Sequence, residues 1–218
     1  MGDWGKIAVG VRVGSQPDAH FFASWTRLLC NGLRTGDVVL PPSIHLPHSN
    51  AANRLVEGFL QTGCDSLLFV DDDMVFDAGT LERLRADDRG WGCDILSALY
   101  TTRRWPCNPI AFKWDEAAGK VAAVGPLTAP LVECDIVGLG FTLIRRHLLS
   151  LNVFRWDEKK GEDGLFCLSA KAGFGARVGV LSSVRVGHRV SAAAAWDPDA
   201  GSAVLDLAGL SGGSGSTQ

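Results

Sequence analysis

No stretch of about 18 consecutive apolar residues occurs in this 218-residue chain, so no membrane span is expected. Met1-Gly2-Asp3-Trp4 also lacks the charged segment and apolar run of an export signal. Together these absences point to a cytoplasmic setting, or to the host cytoplasm if the chain is phage-encoded. Close cysteine pairs are missing too. Cys30, Cys64, Cys93, Cys107, Cys134 and Cys167 stand singly, which excludes the spacing of a zinc site or redox motif and suggests mostly buried thiols in a reducing compartment. Neither sign of charge dominates: the net charge is −3 and the pI about 5.9. Arg103-Arg104 and Arg145-Arg146 are the only adjacent arginine pairs, so gripping nucleic acid by bulk electrostatics is not expected. Gly10 to Asp18 contains no glycine-rich phosphate loop ending in a basic residue, which counts against a nucleotidyltransferase. No internal repeat is present.

What is there suits a globular α/β protein, with 46% hydrophobic and 21% charged residues. Lys6 to Val13 is β-rich, and Phe21, Phe22, Trp25, Leu28 and Leu29 follow at helical spacing before an Asn31-Gly32 stop. Val38-Val39-Leu40 reads as a short strand. A second helix is expected from Ser49, as N-cap, to a Gly63 terminator, with Leu55, Val56, Phe59 and Leu60 on its apolar face. An apolar strand then runs into Asp71, a short helix covers Leu81 to Leu84, and Asp94 to Ala98 is again a strand. This β-α-β-α-β-α-β order predicts a mostly parallel central sheet flanked by helices. The second half is broken by Trp105-Pro106, Asn108-Pro109 and Gly125-Pro126, which predicts loops and a smaller antiparallel element. Cys134 to Ile144 reads as one long strand carrying Gly138 and Gly140, where glycine marks either a close backbone or ligand approach or a bulge. A helix is expected after Gly161-Glu162-Asp163-Gly164, ending at Gly173. Residues 1–190 are expected to form one domain and 191–218 an extension, flexible from about 211 or a remnant of expression.

The most informative stretch is Leu67-Leu68-Phe69-Val70-Asp71-Asp72-Asp73-Met74. A buried strand that stops in three adjacent anions needs compensation, and a hard divalent cation is the simplest. Strand ends are also where ligands collect in open α/β sheets. Without a metal, one Asp would cap the next helix and the others would be solvated. Two further features stand in order: the acidic pair Glu162-Asp163 about 90 residues later, and the lone His188, 25 residues beyond Asp163. Alone, each has a bland reading, as an acidic helix start or a packed histidine.

Together they resemble the GT-A fold glycosyltransferases, and among these the small bacterial and phage-type members related to glycosyltransferase family 2. The resemblance covers Lys6 to Arg189 and rests on Ala52-Asn53-Arg54-Leu55-Val56, Leu68 to Met74, Val137 to Arg146, Gly161 to Cys167 and Val186-Gly187-His188. It implies a single-domain, Rossmann-like α/β fold and a sugar transfer from a nucleoside diphosphate sugar, foremost a UDP-sugar, held with Mn²⁺ or Mg²⁺. The DxD motif would be Asp71-Asp72-Asp73, with Asp71, Asp73 and His188 on the metal and Asp72 beside the donor. Asp163 would be the general base of an inverting reaction, with Glu162 orienting the acceptor. Val11, Arg12, Asn53 and Arg54 would contact the donor, although relatives often carry arginine directly before the asparagine, where this chain has Ala52. Arg103, Trp105, Gly138 and Gly140 are candidates for sugar or acceptor contact. The acceptor needs a free hydroxyl: a glycan, a lipid-linked sugar, a protein or a hydroxylated nucleobase. Alternatives are a retaining transferase, a nucleotidyltransferase, or a non-catalytic nucleotide-sugar-binding protein of the same fold.

Overall fold

The structure is a computed structural model and describes residues 4–14, 17–87, 91–103, 107–125, 127, 129–191, 194–197 and 202–205. Along the chain the elements are β1 (Ile7–Val13), α1 (Ala19–Asn31), β2 (Val38–Val39), β3 (Ser43–Ile44), α2 (His48–Leu60), β4 (Ser66–Asp71), β5 (Met74–Val75) and α3 (Thr80–Asp87). There follow β6 (Ile95–Leu99), β7 (Ala111–Asp115), β8 (Lys120–Ala123), β9 (Leu131–Cys134), β10 (Ile136–Val137) and β11 (Phe141–Arg145). The last are α4 (Gly161–Phe174), β12 (Val178–Arg185), β13 (Gly187–Ser191), β14 (Ala194–Asp197) and β15 (Ser202–Leu205). β13 thus crosses the domain boundary expected at residue 190, and residues 206–218 lie outside the described residues.

The strand order of the main sheet is β2-β1-β4-β11-β6-β12-β9, with β3 also on β1. β1 pairs in parallel with β2, β3 and β4, and β6 with β12. β11 enters antiparallel between β4 and β6, and β9 closes the far edge antiparallel to β12. The sheet is therefore mixed, with four parallel and three antiparallel pairings. The antiparallel strand comes from the expected Cys134–Ile144 run, which breaks at Asp135 and again at Gly138-Leu139-Gly140 into β9, β10 and β11. β10, β7 and β8 form the smaller antiparallel sheet.

Strand alternation divides the core in two. In β4, Leu67 and Phe69 point into a cluster with Leu55, Val56 and Phe59 of α2 and Phe166, Cys167 and Ala170 of α4. Leu68 and Val70 point the other way, to Phe21 and Leu28 of α1 and Leu81 and Leu84 of α3. Because side chains alternate with period two, a strand covered on both faces must be apolar at every position, which is why β4 reads as an unbroken apolar run. Phe22 and Leu29, expected on the buried face of α1, are exposed; Phe21, Ser24 and Leu28 are the residues it buries.

Several boundaries moved. α2 starts at His48 after Pro47, with no side-chain cap, so Ser49 lies inside the helix rather than capping it; proline's fixed φ of −53° sets the entry. α4 starts at Gly161 and runs through Gly173, ending where Gly175 takes the left-handed conformation at φ +63°. The six thiols are free, four of them buried, with Cys30 exposed and Cys107 half-buried. Burial pushes the Cys134 thiol up to about 12, so it stays protonated and inert.

Candidate functional site

The cleft opens at the carboxyl ends of β1 and β4. Register sets its floor: Val11 lies beside Val70 and Arg12 beside Asp71. Arg12 and Asp71 fall on the α2/α4 side by alternation, since Ala8, Leu67 and Phe69 of the same strands pack there. The arginine forks onto Asp71, Nε to Oδ1 at 2.7 Å and a terminal nitrogen to Oδ2 at 3.0 Å. Its other terminal nitrogen donates to Glu162 Oε1 at 3.3 Å and lies 3.9 Å from Asp163 Oδ1 at the start of α4. Burial disfavours the arginine's charge, but Asp71, Asp163 and Glu162 outweigh it and raise its pKa.

Asp163, behind Arg12, carries the largest carboxylate shift of this cluster. Burial pushes it up to about 7; Arg12 opposes the rise, and Glu162 and Asp71 add to it. Its Oδ2 accepts the Leu139 N–H at 3.2 Å, while Oδ1 is buried without a hydrogen-bond partner. Arg12 therefore links the first carboxylate of the acidic run to the acidic pair, although the two lie far apart in sequence.

The three aspartates diverge. Asp72 accepts the Gly14 N–H at 2.7 Å; burial raises its pKa against that bond, with Asp73 and Asp71 adding to the rise. Asp73 turns toward His188. That meeting is made by β5 and β13, which pair antiparallel with His188 opposite Met74, and by the Arg189 N–H donating to the Asp73 carbonyl at 3.1 Å. His188 Nδ1 is 2.6 Å from the Thr101 carbonyl, which can only accept, so Nδ1 carries the proton and Nε2 presents its lone pair. Nε2 lies 3.3 Å from Asp73 Oδ2. Arg103 bonds both atoms: its Nε donates to His188 Nε2 at 2.8 Å, and a terminal nitrogen pairs with Asp73 Oδ2.

These residues suit a divalent ion with two protein ligands. Asp73 Oδ1 is buried and without a hydrogen-bond partner, and the histidine tautomer turns its Nε2 lone pair toward Asp73, where Arg103 donates to it. Among the described residues no group of three or more His, Cys, Asp or Glu is close enough to hold an ion. Asp71, expected as a third ligand, instead gives both oxygens to Arg12.

Other expected contacts are placed elsewhere. Val11 is buried in the core, and the cleft's lining on β1 begins at Arg12. Asn53 accepts the Phe154 N–H at 2.9 Å and donates to the Phe154 carbonyl at 2.8 Å, a clasp between α2 and the chain leading to α4. Arg54 is exposed and pairs with Glu57 one turn along. Gly138 and Gly140 are buried under Tyr100. A Cβ at Gly140 would sit 2.8 Å from Met74 and 2.9 Å from the Tyr100 ring, and one at Gly138 would overlap the Tyr100 hydroxyl. Their close neighbours are the chain's own side chains. Trp105 lies outside the described residues.

Tyr100, Thr101 and His48 escaped the sequence reading. The Tyr100 hydroxyl accepts the Gly140 N–H at 2.8 Å and its ring meets His188 edge-on at 5.6 Å, bracing the histidine. Nothing in the Leu99 to Thr102 run marks these as site residues. His48 sits on the rim, its Nδ1 4.0 Å from Glu162 Oε1.

The cleft has a volume of about 290 Å³ and is lined by Arg12, Val13, Gly14, Leu46, His48, Ala51, the three aspartates and Arg103. A larger cavity of about 550 Å³ lies between Leu40-Pro41-Pro42, α2 and Leu151. Its only charged lining residues, Arg54 and Glu57, neutralise each other, so size does not mark the site here.

No family model matches the chain, and no curated protein matches it in sequence. Solved structures do. A197 from STIV aligns with a TM-score of 0.63 at 18% identity, covering 89% of this chain and 91% of that one. TarS 1-349 from S. aureus, solved in complex with UDP-GlcNAc, aligns with a TM-score of 0.50 at 17% identity, covering 83% of this chain and 57% of that one. The chain therefore has an α/β fold of the GT-A glycosyltransferase type, built on a mixed, partly parallel sheet. Among the described residues no helix is long and apolar enough to cross a membrane.

Proposed function

We propose that this chain is a metal-dependent glycosyltransferase that moves a sugar from a nucleoside diphosphate sugar to an acceptor hydroxyl with inversion. One observation carries the reading: Arg12 and Asp73 line one cleft, Arg12 lies 3.9 Å from the half-buried Asp163, whose carboxyl is raised to about 7, and Asp73 lies 3.3 Å from His188. A diphosphate needs cationic compensation, and an acceptor hydroxyl needs a base whose pKa lies near the working pH. Arg12, which lines the cleft, joins the acidic run and the acidic pair, the two groups that would meet these requirements.

Asp73 and His188 would hold Mn²⁺ or Mg²⁺, which when bound would offset the diphosphate charge and stabilise the departing nucleotide. Arg12 stays fixed on Asp71, with Asp163 3.9 Å from its guanidinium. Asp163 takes the proton of the acceptor hydroxyl as its oxygen bonds to the anomeric carbon. The bond from that carbon to the diphosphate breaks, and the nucleoside diphosphate leaves. The nucleoside would lie over the end of β1, against Val13 and Gly14, with the exposed Leu46 and His48 along its rim. TarS was solved with UDP-GlcNAc, which makes a UDP-sugar the first donor to try.

The test is Asp73→Asn assayed for nucleotide binding with Mn²⁺ and with chelator, by thermal shift. Parent protein stabilised by UDP, GDP, CMP or dTDP sugars only with metal, and a variant that loses that dependence, supports the assignment. A variant with the parent's metal dependence would show that Asp73 is not a ligand.

A further inference from the structure

We infer that Arg103 occupies the cation position of the cleft before substrate arrives, and that the nucleotide's diphosphate draws it away as metal takes Asp73 and His188. Metal and nucleotide then bind as one strongly coupled unit. The inference rests on the transferase reading and deepens it.

The geometry shows a competitor in place. Arg103 donates to His188 Nε2 at 2.8 Å and pairs with Asp73 Oδ2, the two atoms whose lone pairs an ion would need. A metal at about 2.0–2.2 Å from a nitrogen and an oxygen leaves no room for N–H donors on the same lone pairs. Arginine and ion are therefore mutually exclusive at these atoms.

The arginine is also a poor permanent partner. A guanidinium can grip both oxygens of one carboxylate, yet this one divides itself between Asp73 and His188 and leaves Asp73 Oδ1 buried without a hydrogen bond. Its side chain is 56% exposed, against 14% for Asp73, so it reaches inward from solvent and regains water when it leaves. Arg12, on the same acidic run, is 8% exposed and has no such exit.

A destination exists as well. Arg103 lines the same cleft as Gly14 and His48, where the nucleotide would lie, and a diphosphate there presents the planar oxygen pairs that arginine prefers. The cleft, at about 290 Å³, lies at the lower limit of about 300 Å³ for enclosed small-molecule sites. Withdrawing a guanidinium from its floor enlarges it. Free metal must expel the arginine without help, whereas metal arriving with nucleotide brings the anion that receives it.

Mn²⁺ binding to the full chain, followed by electron paramagnetic resonance of the free ion, tests this without an activity assay. Parent, Arg103→Met and Arg103→Gln are titrated with Mn²⁺ alone and with Mn²⁺ plus UDP, GDP, CDP or dTDP, with circular dichroism confirming the fold. Loss of a charge-assisted competitor should tighten Mn²⁺ binding in the absence of nucleotide by about ten-fold or more. The factor by which nucleotide enhances Mn²⁺ binding should fall by a similar amount, and by linkage so should the reverse enhancement. If the parent binds Mn²⁺ with nucleotide but neither variant gains affinity for Mn²⁺ alone, the arginine inference fails and the transferase reading stands. If nucleotide binds the parent equally in chelator and the variants abolish it, Arg103 is a permanent substitute for metal and the exchange is refuted. If the parent takes up neither Mn²⁺ nor any of the nucleotides, the transferase reading falls and the inference with it.

Discussion

Arg12 reaches Asp71 from the neighbouring strand β1, and Arg103 reaches Asp73 from the segment after β6. Both neutralise one end of the same acidic run, but in different surroundings. Arg12 is buried, forks onto a single carboxylate, and is held by Glu162 and Asp163 behind it. Arg103 is more than half exposed and spans two different residues. The chemistry of the pairs is alike; burial separates a permanent member of the fold from an exchangeable counterion. A buried ion pair is costly to make and more costly to halve, whereas an exposed one is nearly neutral.

The largest effect should therefore come from the closed end. Arg12→Met leaves Asp71, Glu162 and Asp163 facing one another without a cation, and urea denaturation should show a loss of about 3–5 kcal/mol near neutral pH. Acidification should return part of it, as the carboxylates take up protons. A loss no larger than that of an exposed pair would remove the distinction between the two ends.

Asp163→Asn sharpens the same end from the catalytic side. Transfer should fall by about 10²–10⁴-fold with nucleotide binding kept, and parental transfer should rise with pH through about 7. Stability should move oppositely. Because the folded carboxyl holds its proton more tightly than an unfolded one near about 3.9, its favourable contribution is complete below about pH 4 and is lost as the pH rises to 7. Relative to the parent, Asp163→Asn should gain stability across that window. A pH-independent difference in urea melts would mean that the carboxyl is not raised.

Between the two ends lies the Gly138-Leu139-Gly140 turn, braced by Asp163 and Tyr100. Gly138→Ala should cost about 1–3 kcal/mol through overlap with the Tyr100 hydroxyl, and Tyr100→Phe should relieve part of that in the double variant. Additive losses would show that the overlap is not the cause. The smallest effect concerns a residue outside both ends: Asn53→Ala should cost about 1–2 kcal/mol by releasing Phe154, with nucleotide affinity unchanged. A drop in affinity with stability intact would return Asn53 to the donor site.

Much of the architecture was legible because local patterns carry it. The unbroken apolar run before Asp71 signalled a strand buried on both faces, and the helical spacing of Leu55, Val56 and Phe59 signalled the helix that covers one of them. The direction of β11 was not legible, since an apolar run reads the same either way and Gly138 suited a close approach or a bulge within one strand. The contacts of Asn53 and Gly138 were not legible for a related reason. Asparagine at a helix start and glycine in a strand suit ligand contact and internal contact equally, and their neighbours Phe154 and Tyr100 are distant in sequence.

By itself the sequence determined the inventory: three anions at a strand end, an acidic pair at a helix start, a lone histidine, and the apolar periods that make strands and helices around them. These follow from local rules of backbone period and charge. The tertiary structure alone decided the pairing, with Asp71 and the acidic pair held by Arg12, Asp73 joined to His188 through β5 and β13, and Arg103 seated between them. Such choices depend on strand register and on which charges lose their water, and both arise only when distant segments pack.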